Sequence, residues 1–297
     1  MSKRVLYLVD ASIYIFRAWF SLPDTLQNSA GEPVNAVYGY ANFLCQLVEH
    51  TDPEYIVVAF DESLQTSFRN RIYPAYKANR ESAPAELKNQ FSLCRQLTET
   101  LGITTFSSKK YEADDLIGTV AQRMRRNNFS MVYVTADKDI SQLMRKGDTF
   151  WNFAKDERYA YKDCQNVFGV KPEQMSDFLA LCGDSVDNIP GVPGIGVKTA
   201  INLLQRHGSL EGIYDRIESI PGSQLRGAKR LHALLVKHRD QAFMSRELAT
   251  IVGNAPLQAN LQRLRYTGTT SSRVNRYCNR HGLGERLRER LLSLAEG

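Results

Sequence analysis

No stretch of this 297-residue chain comes near the roughly 18 consecutive apolar residues of a membrane-spanning helix, so no membrane partner is expected. No signal peptide is expected either: Met1-Ser2-Lys3-Arg4 runs straight into the apolar Val5-Leu6-Tyr7-Leu8-Val9, with no small-residue cleavage pattern behind it. Cysteines are few and scattered. Cys45, Cys94, Cys164, Cys182 and Cys278 are odd in number, and no two stand at zinc-ligand spacing. That excludes a disulfide framework and a zinc knuckle and fits a reducing compartment, so an intracellular place is expected. The histidines (His50, His207, His232, His238 and His281) are dispersed over helical segments, which gives histidine catalysis no foothold. The only tryptophans, Trp19 and Trp151, read as core residues. Low-complexity segments and internal repeats are also missing.

What is present is a patterned, basic chain. Its hydrophobic content of 43% can fill a substantial core, and its net charge is +6 with a pI near 9.0. A basic balance alone is weak evidence for a nucleic-acid partner. It gains weight because so many acids gather in a few motifs, which leaves the remaining surface more basic than the total. In the first half, apolar runs alternate with amphipathic helical patterns over 36–49, 85–101 and 112–126. Runs at 5–9, 55–60 and 131–134 are near-continuously apolar, as expected of parallel strands covered on both faces. The expected fold class is α/β, with a mostly parallel central sheet flanked by helices over residues 1–170. From about 171 to 297 the patterns at 172–181, 197–207, 210–217 and 224–238 are helical, and two more helices over 271–296 are broken at Gly282 and Gly284. That predicts an α-helical region.

The acids fall where a sheet would collect them. The three apolar runs lead to Asp10, Asp61 and Asp137, and the carboxyl ends of parallel strands are where ligands bind. One strand-end aspartate is commonly just a helix cap; three are harder to dismiss. Glu112-Ala113-Asp114-Asp115 opens a helix, with Glu112 and Asp115 three residues apart on one face. Asp137-Lys138-Asp139 adds a further pair, and Asp184 and Asp187 another at the same spacing of three. Crowded carboxylates repel one another, and divalent cations relieve the repulsion. Oxygen-only donors without histidine or cysteine select hard ions, Mg²⁺ or Mn²⁺, at two or more positions. Phosphodiester hydrolysis is the natural chemistry of such a site.

Directly after Asp187 comes Asn188-Ile189-Pro190-Gly191-Val192-Pro193-Gly194-Ile195-Gly196-Val197-Lys198-Thr199. Gly191, Gly194 and Gly196 permit tight turns and close backbone approach. A helix beginning near Val197 would aim free N–H groups at an anion beside Lys198 and Thr199. The glycine spacing is wrong for a nucleotide-binding P-loop. The segment suits a hairpin that grips a duplex backbone without reading its sequence. One more stretch, at 62–82, interleaves basic and aromatic residues in Phe68-Arg69-Asn70-Arg71-Ile72-Tyr73-Pro74-Ala75-Tyr76-Lys77-Ala78-Asn79-Arg80. It leaves the sheet beside Asp61, and a long connection there reads as functional or mobile.

These motifs, in this order, resemble the 5′-nuclease superfamily: flap endonucleases and the 5′→3′ exonuclease domain of bacterial DNA polymerase I. The quoted residues are Leu8-Val9-Asp10, Ala59-Phe60-Asp61, Tyr76-Lys77-Ala78-Asn79-Arg80, Glu112-Ala113-Asp114-Asp115, Thr135-Ala136-Asp137-Lys138-Asp139 and Gly183-Asp184 through Ala200. The resemblance implies a PIN-like nuclease core and a structure-specific 5′-nuclease acting on DNA flaps and 5′ ends in replication and repair. Its metal ligands would be Asp10, Asp61, Glu112, Asp114, Asp115, Asp137, Asp139, Asp184 and Asp187. Asp10, Glu112, Asp114 and Asp115 are expected as the direct ligands, and Asp61 largely through water. The segment at about 62–90 would be a helical arch that passes a single strand. In it Lys77 and Arg80 would meet the scissile phosphate, Tyr76 would stack on a base, and Arg69 would join the DNA contacts. Arg17 would contact substrate near the site. The hairpin at 191–199 would be a helix–three-turn–helix holding K⁺ against the duplex. The resemblance also implies a monomer working beside a polymerase and a ligase. A freestanding nuclease, without a polymerase or proofreading domain, is expected. A junction-binding protein without catalysis and a single-strand ribonuclease are the alternatives. The complete acid set speaks against the first, and the duplex-gripping hairpin against the second.

Overall fold

A computed structural model describes residues 4–62, 66–223 and 227–295. Parts of the expected segments at 62–82, 224–238 and 271–296 lie outside the described residues. The chain begins with β1 (Arg4–Asp10), α1 (Ala11–Ser21), α2 (Asn35–Thr51), β2 (Ile56–Asp61), α3 (Phe68–Ile72), α4 (Ala85–Thr100), β3 (Thr104–Ser108), α5 (Ala113–Arg125) and β4 (Phe129–Val134). A 3₁₀ turn (Lys138–Leu143), β5 (Thr149–Asn152), β6 (Glu157–Ala160) and α6 (Cys164–Phe168) complete the first half.

The six strands are ordered β3-β2-β1-β4-β5-β6. All neighbours are parallel except β5 and β6, which form an antiparallel pair. Both faces are covered, which explains the continuous apolar runs. Along β2, Ile56, Val58 and Phe60 join the core beneath α1, α2 and α4, while Val57 and Ala59 point to the core beneath α5. On β4, Val132 and Val134 face the first core and Met131 and Tyr133 the second. The order reverses at β1, since successive strands run to one side as β2 and β3 and to the other as β4 and β5. Such a switch opens a crevice at the carboxyl ends of β1 and β4, where Asp10 and Asp137 stand.

The helical half is α7 (Met175–Cys182), α8 (Val197–His207), α9 (Leu210–Asp215), α10 (Ala228–Lys237) and α11 (Arg239–Ala249), around a third core that includes Leu179, Leu181, Leu203, Leu204 and Leu235. After α12 (Leu261–Leu264), the closing helices α13 (Ser271–His281) and α14 (Glu285–Leu292) return to the α/β half. Val274, Tyr277, Cys278, Leu287 and Leu291 are buried with α2 and α4 in the first core. That corrects the expectation that the tail extends the helical region: its apolar stripe is matched to the sheet-side helices.

The sequence patterns did not show β3, β5, β6, α1 or α11. The segment at 62–90 differs as well. Among the described residues it holds the short α3, a run of tight turns over 74–80 and an extended stretch to the start of α4. Pro74 and Pro84 account for this, since a residue preceding proline is driven out of helical conformation. Trp151 is fully buried, whereas Trp19 is only partly so and packs against the first core.

Candidate functional site

Each strand-end acid is held by the backbone geometry it terminates. Asp10 caps α1, accepting from the Ser12 N–H at 3.0 Å, and Thr135 Oγ1 donates to it at 3.4 Å. Asp61 accepts from Ser12 Oγ at 3.0 Å and from the Ala113 N–H at 2.8 Å, which ties β2 to the first residue of α5. Asp137 caps the 3₁₀ turn through the Asp139 N–H at 2.9 Å. Asp184 and Ile189 exchange backbone hydrogen bonds at 2.9 and 2.8 Å, closing a small hairpin after α7. The Asp184 carboxylate accepts from the Val186 N–H at 2.7 Å.

The electrostatics confirm that these groups crowd one another. Burial pushes the Asp10 carboxyl up to about 8, and Asp61 and Asp137 reinforce the shift. Asp139 is raised to about 7 by burial and then by Asp137. Asp114 is lifted well above the carboxylate range by burial and by Asp137, Asp10 and Asp61, with Lys77 opposing. Burial raises Asp137 as well. Asp184 goes the other way: burial pulls upward, but hydrogen bonding and charge from Lys138 hold it low.

Cations supplied by the chain offset part of this charge. Lys77 Nζ donates to Glu112 Oε2 at 2.8 Å and lies 3.6 Å from Asp187 Oδ2; the Arg80 guanidinium pairs with Asp187. Lys138 Nζ bridges Asp184 at 2.8 Å and Asp139 at 3.3 Å. Lys138 was not singled out from the sequence, although its position between two aspartates was a signal. The turn at 74–80 is sewn to the loop at 184–188. Lys77 N donates to Asp187 O at 2.9 Å, Asn79 Nδ2 to Ser185 O at 2.7 Å, and Asn188 Nδ2 to Ala75 O at 2.6 Å.

Three assignments need correction. Arg69 is 3% exposed, and its guanidinium is spent on Asp115 and on the carbonyls of Leu248 and Thr250, so it is closed to DNA in this arrangement. Tyr76 is 2% exposed and donates its hydroxyl toward Glu112 and Asp187 at 3.1 Å, so its ring is not free to stack on a base. Asp115, expected beside Glu112 as a direct ligand, is fully buried and turned to Arg69. The helical spacing put it on the right face, but its carboxylate folds back to the Glu112 N–H at 3.1 Å. Arg17 is exposed on α1.

The hairpin at 191–196 links α7 to α8. Gly191 has φ +60°, and a Cβ there would lie 2.3 Å from Gly183 N, so only glycine lets the two strands of the turn touch. Its N–H donates to Ser245 Oγ at 3.1 Å, and its carbonyl accepts from Gln241 Nε2 at 2.8 Å, fixing the turn on α11. Gly194 also has positive φ, at +87°. Gly196, the N-cap of α8, faces open space with Lys198 exposed beside it and Thr199 partly buried.

The donor set suits a hard divalent cation. It is all oxygen, and Glu112 Oε1 is buried without a hydrogen-bond partner. Asp10 and Asp139 keep raised pKa values even with the chain's own cations in place. Among the described residues, no three acid, histidine or cysteine side chains already converge as a ready ligand set; Lys77 and Lys138 stand between them.

Comparison with known proteins bears on this site. The family described as 5′-3′ exonuclease, N-terminal resolvase-like domain, matches residues 5–169, and 5′-3′ exonuclease, C-terminal SAM fold, matches residues 170–272. The chain is 38% identical over 281 residues to DNA polymerase I of Bacillus subtilis, covering 92% of this chain but only 30% of that protein's length. It is 39% identical over 210 residues to a 5′-3′ exonuclease of Aquifex aeolicus, covering 71% of this chain and 72% of the relative. The fold matches a bacteriophage T5 flap endonuclease solved with DNA and metal ions, with a TM-score of 0.66 at 21% identity, covering 99% of this chain and 100% of that one. The chain belongs to the 5′-3′ exonuclease family.

Proposed function

We propose that this protein is a structure-specific 5′-nuclease that hydrolyses DNA phosphodiester bonds at flaps and 5′ ends with divalent metal ions. The observation that supports the reading is the direct seam between the turn at 74–80, the loop at 184–188 and Glu112 at the start of α5. Lys77 and Arg80 are thereby held on Glu112 and Asp187, in the loop that runs on into the hairpin at 191–196, which supports a role for these cations, acids and hairpin in one site.

Asp10, Glu112, Asp114, Asp137, Asp139, Asp184 and Asp187 would hold Mg²⁺ or Mn²⁺, two or more ions in all, with Asp61 acting through water. The oxygen-only donors favour those ions over zinc. Bound there, the ions supply water activation and charge neutralisation at the leaving oxygen. The chain does the rest. The N-terminus of α8 with Lys198 and Thr199 takes the duplex backbone, and the hairpin carbonyls between 191 and 196 would hold K⁺. Lys77 and Arg80, now paired with Glu112 and Asp187, turn to the phosphoryl oxygens of the scissile group and stabilise developing charge. Arg17 on α1 adds a substrate contact. The helical half, 171–297, serves chiefly as the DNA-binding part and 1–170 as the catalytic core, with α13 and α14 bracing that core. In the cell the protein would act as a monomer in the bacterial cytoplasm, beside a polymerase and a ligase, removing primers and flaps.

The test is cleavage of a labelled 5′-flap DNA with Mg²⁺ and with chelator, by the native protein and by Asp10→Ala. Mg²⁺-dependent cleavage lost in the variant, with DNA binding retained, is the expected result. Undiminished cleavage by Asp10→Ala overturns the assignment.

A further inference from the structure

The Arg69–Asp115 pair is a buried, densely hydrogen-bonded polar unit, and with both side chains turned from metal and DNA the nuclease reading leaves it without a task. Asp115 Oδ1 accepts from Arg69 Nη2 and from the Val252 N–H, both at 2.8 Å. Its Oδ2 accepts from Arg69 Nη1 at 2.7 Å and from the Glu112 N–H at 3.1 Å. Arg69 in turn donates Nε to Leu248 O at 2.7 Å and Nη2 to Thr250 O at 2.9 Å. Both side chains are at least 97% removed from solvent, at 3% and 0% exposure. A carboxylate with four N–H donors around it has no lone pair directed at an ion. Glu112, three residues earlier, has an oxygen with no partner at all.

The two residues sit where three functional parts meet. Arg69 belongs to α3, which leads into the turn carrying Tyr76, Lys77 and Arg80. Asp115 belongs to the first turn of α5, beside Glu112 and Asp114. The carbonyls of Leu248 and Thr250 are at the end of α11, the helix that holds Gly191 through Gln241 and Ser245. One buried bidentate pair therefore fixes how far the phosphate-contacting cations, the carboxylates and the duplex hairpin stand from one another.

We propose that Asp115 is a positioning residue and not a metal ligand: through Arg69 it locks the turn at 74–80 and the glycine hairpin onto the carboxylate helix. The proposal rests on the nuclease reading for its kinetic consequence, but not for its metal-binding consequence. Asparagine cannot replace Asp115, because N–H donors approach both of its oxygens and an amide NH₂ would face one of them. Lysine cannot replace Arg69, because a single ammonium cannot serve the carboxylate and two carbonyls in the fork geometry a guanidinium provides.

The experiment compares Asp115→Asn, Arg69→Lys, their double variant and Asp114→Asn as the ligand control. Mn²⁺ affinity is measured by calorimetry without DNA, and single-turnover cleavage is measured on a 5′-flap substrate. Asp114→Asn should lose about 10- to 100-fold in Mn²⁺ affinity. Asp115→Asn and Arg69→Lys should stay within about threefold of native affinity, yet lose about tenfold or more in turnover. The double variant should lose no more than the worse single one, because both changes break one device. Mn²⁺ affinity in Asp115→Asn falling as far as in Asp114→Asn overturns the proposal, as do rate losses that multiply in the double variant. If Asp115→Asn does not fold, Arg69→Lys decides alone. Native metal affinity with slowed turnover supports the lock, and native turnover overturns it. A native protein that cleaves no flap refutes the nuclease reading, while the calorimetric comparison still decides whether Asp115 is a ligand.

Discussion

Replacing Asp10 with asparagine should stabilise the metal-free protein, and by an amount that grows with pH. The Asp10 carboxyl is 5% exposed and is pushed from 3.8 to about 8, first by burial and then by Asp61 and Asp137. Between pH 5 and 8 the folded chain keeps this proton while the unfolded chain has lost it, so raising the pH favours unfolding. The stability is fully present below 3.8 and is lost as the pH rises through about 8. Each pH unit in that window is worth about 1.36 kcal/mol, so three units amount to about 4 kcal/mol for one proton. Asp114 and Asp137 share the site and take up part of the proton, which leaves about 2–4 kcal/mol as the expected difference. Asparagine is nearly isosteric, carries no charge and caps a helix as well as aspartate does, so Asp10→Asn should lack this pH dependence. The assay is thermal or urea unfolding of chelator-treated native and variant proteins at pH 5 and 8. The variant's advantage should widen by roughly 3–6 °C in Tm over that span. Saturating Mn²⁺ should abolish or reverse it, since the ion needs the ionised carboxylate. Parallel native and variant curves from pH 5 to 8 would refute the account of a crowded, undercompensated site.

Lys77→Ala, which removes the cation now paired with Glu112, should slow single-turnover cleavage by about 100- to 1,000-fold with little change in DNA affinity; a loss below threefold counts against its role at the phosphate. Gly191→Ala should destabilise the protein by about 1–3 kcal/mol in urea melts, because the new Cβ meets Gly183 N and φ is positive; an unchanged midpoint would contradict the close approach. Lys198→Ala should lower the slope of log affinity against log salt for duplex DNA by about 1, and an unchanged slope would place Lys198 away from the phosphates.

Much of this was legible in the sequence because it is local. Apolar runs long enough to be covered on both faces announced β1, β2 and β4, and the acid after each run marked the sheet edge. Helix α8 carried its own punctuation in Gly196 and Gly208. Strand β3 hid because Thr104-Thr105-Phe106-Ser107-Ser108 has a single large apolar residue, as suits an edge strand, and β5 and β6 are too short to show a period. The pairing of Arg69 with Asp115, 46 positions apart, depends on how α3 and α5 pack and leaves no periodic trace. The same holds for Tyr76: interleaved aromatic and basic residues read alike whether a ring faces a base or, as here, lies buried with its hydroxyl on Glu112 and Asp187. Helix–strand register thus placed the carboxylates, while the identity of each counter-charge came only with the packing.

The most direct test of the central claim is product mapping on a double-flap DNA labelled at either end, with and without Mg²⁺. The account predicts Mg²⁺-dependent cuts at or within a nucleotide or so of the junction on the 5′-flap strand, leaving a 5′-phosphate and a 3′-hydroxyl. Cleavage scattered along single strands without regard to the junction, or cleavage that persists in chelator, would contradict it.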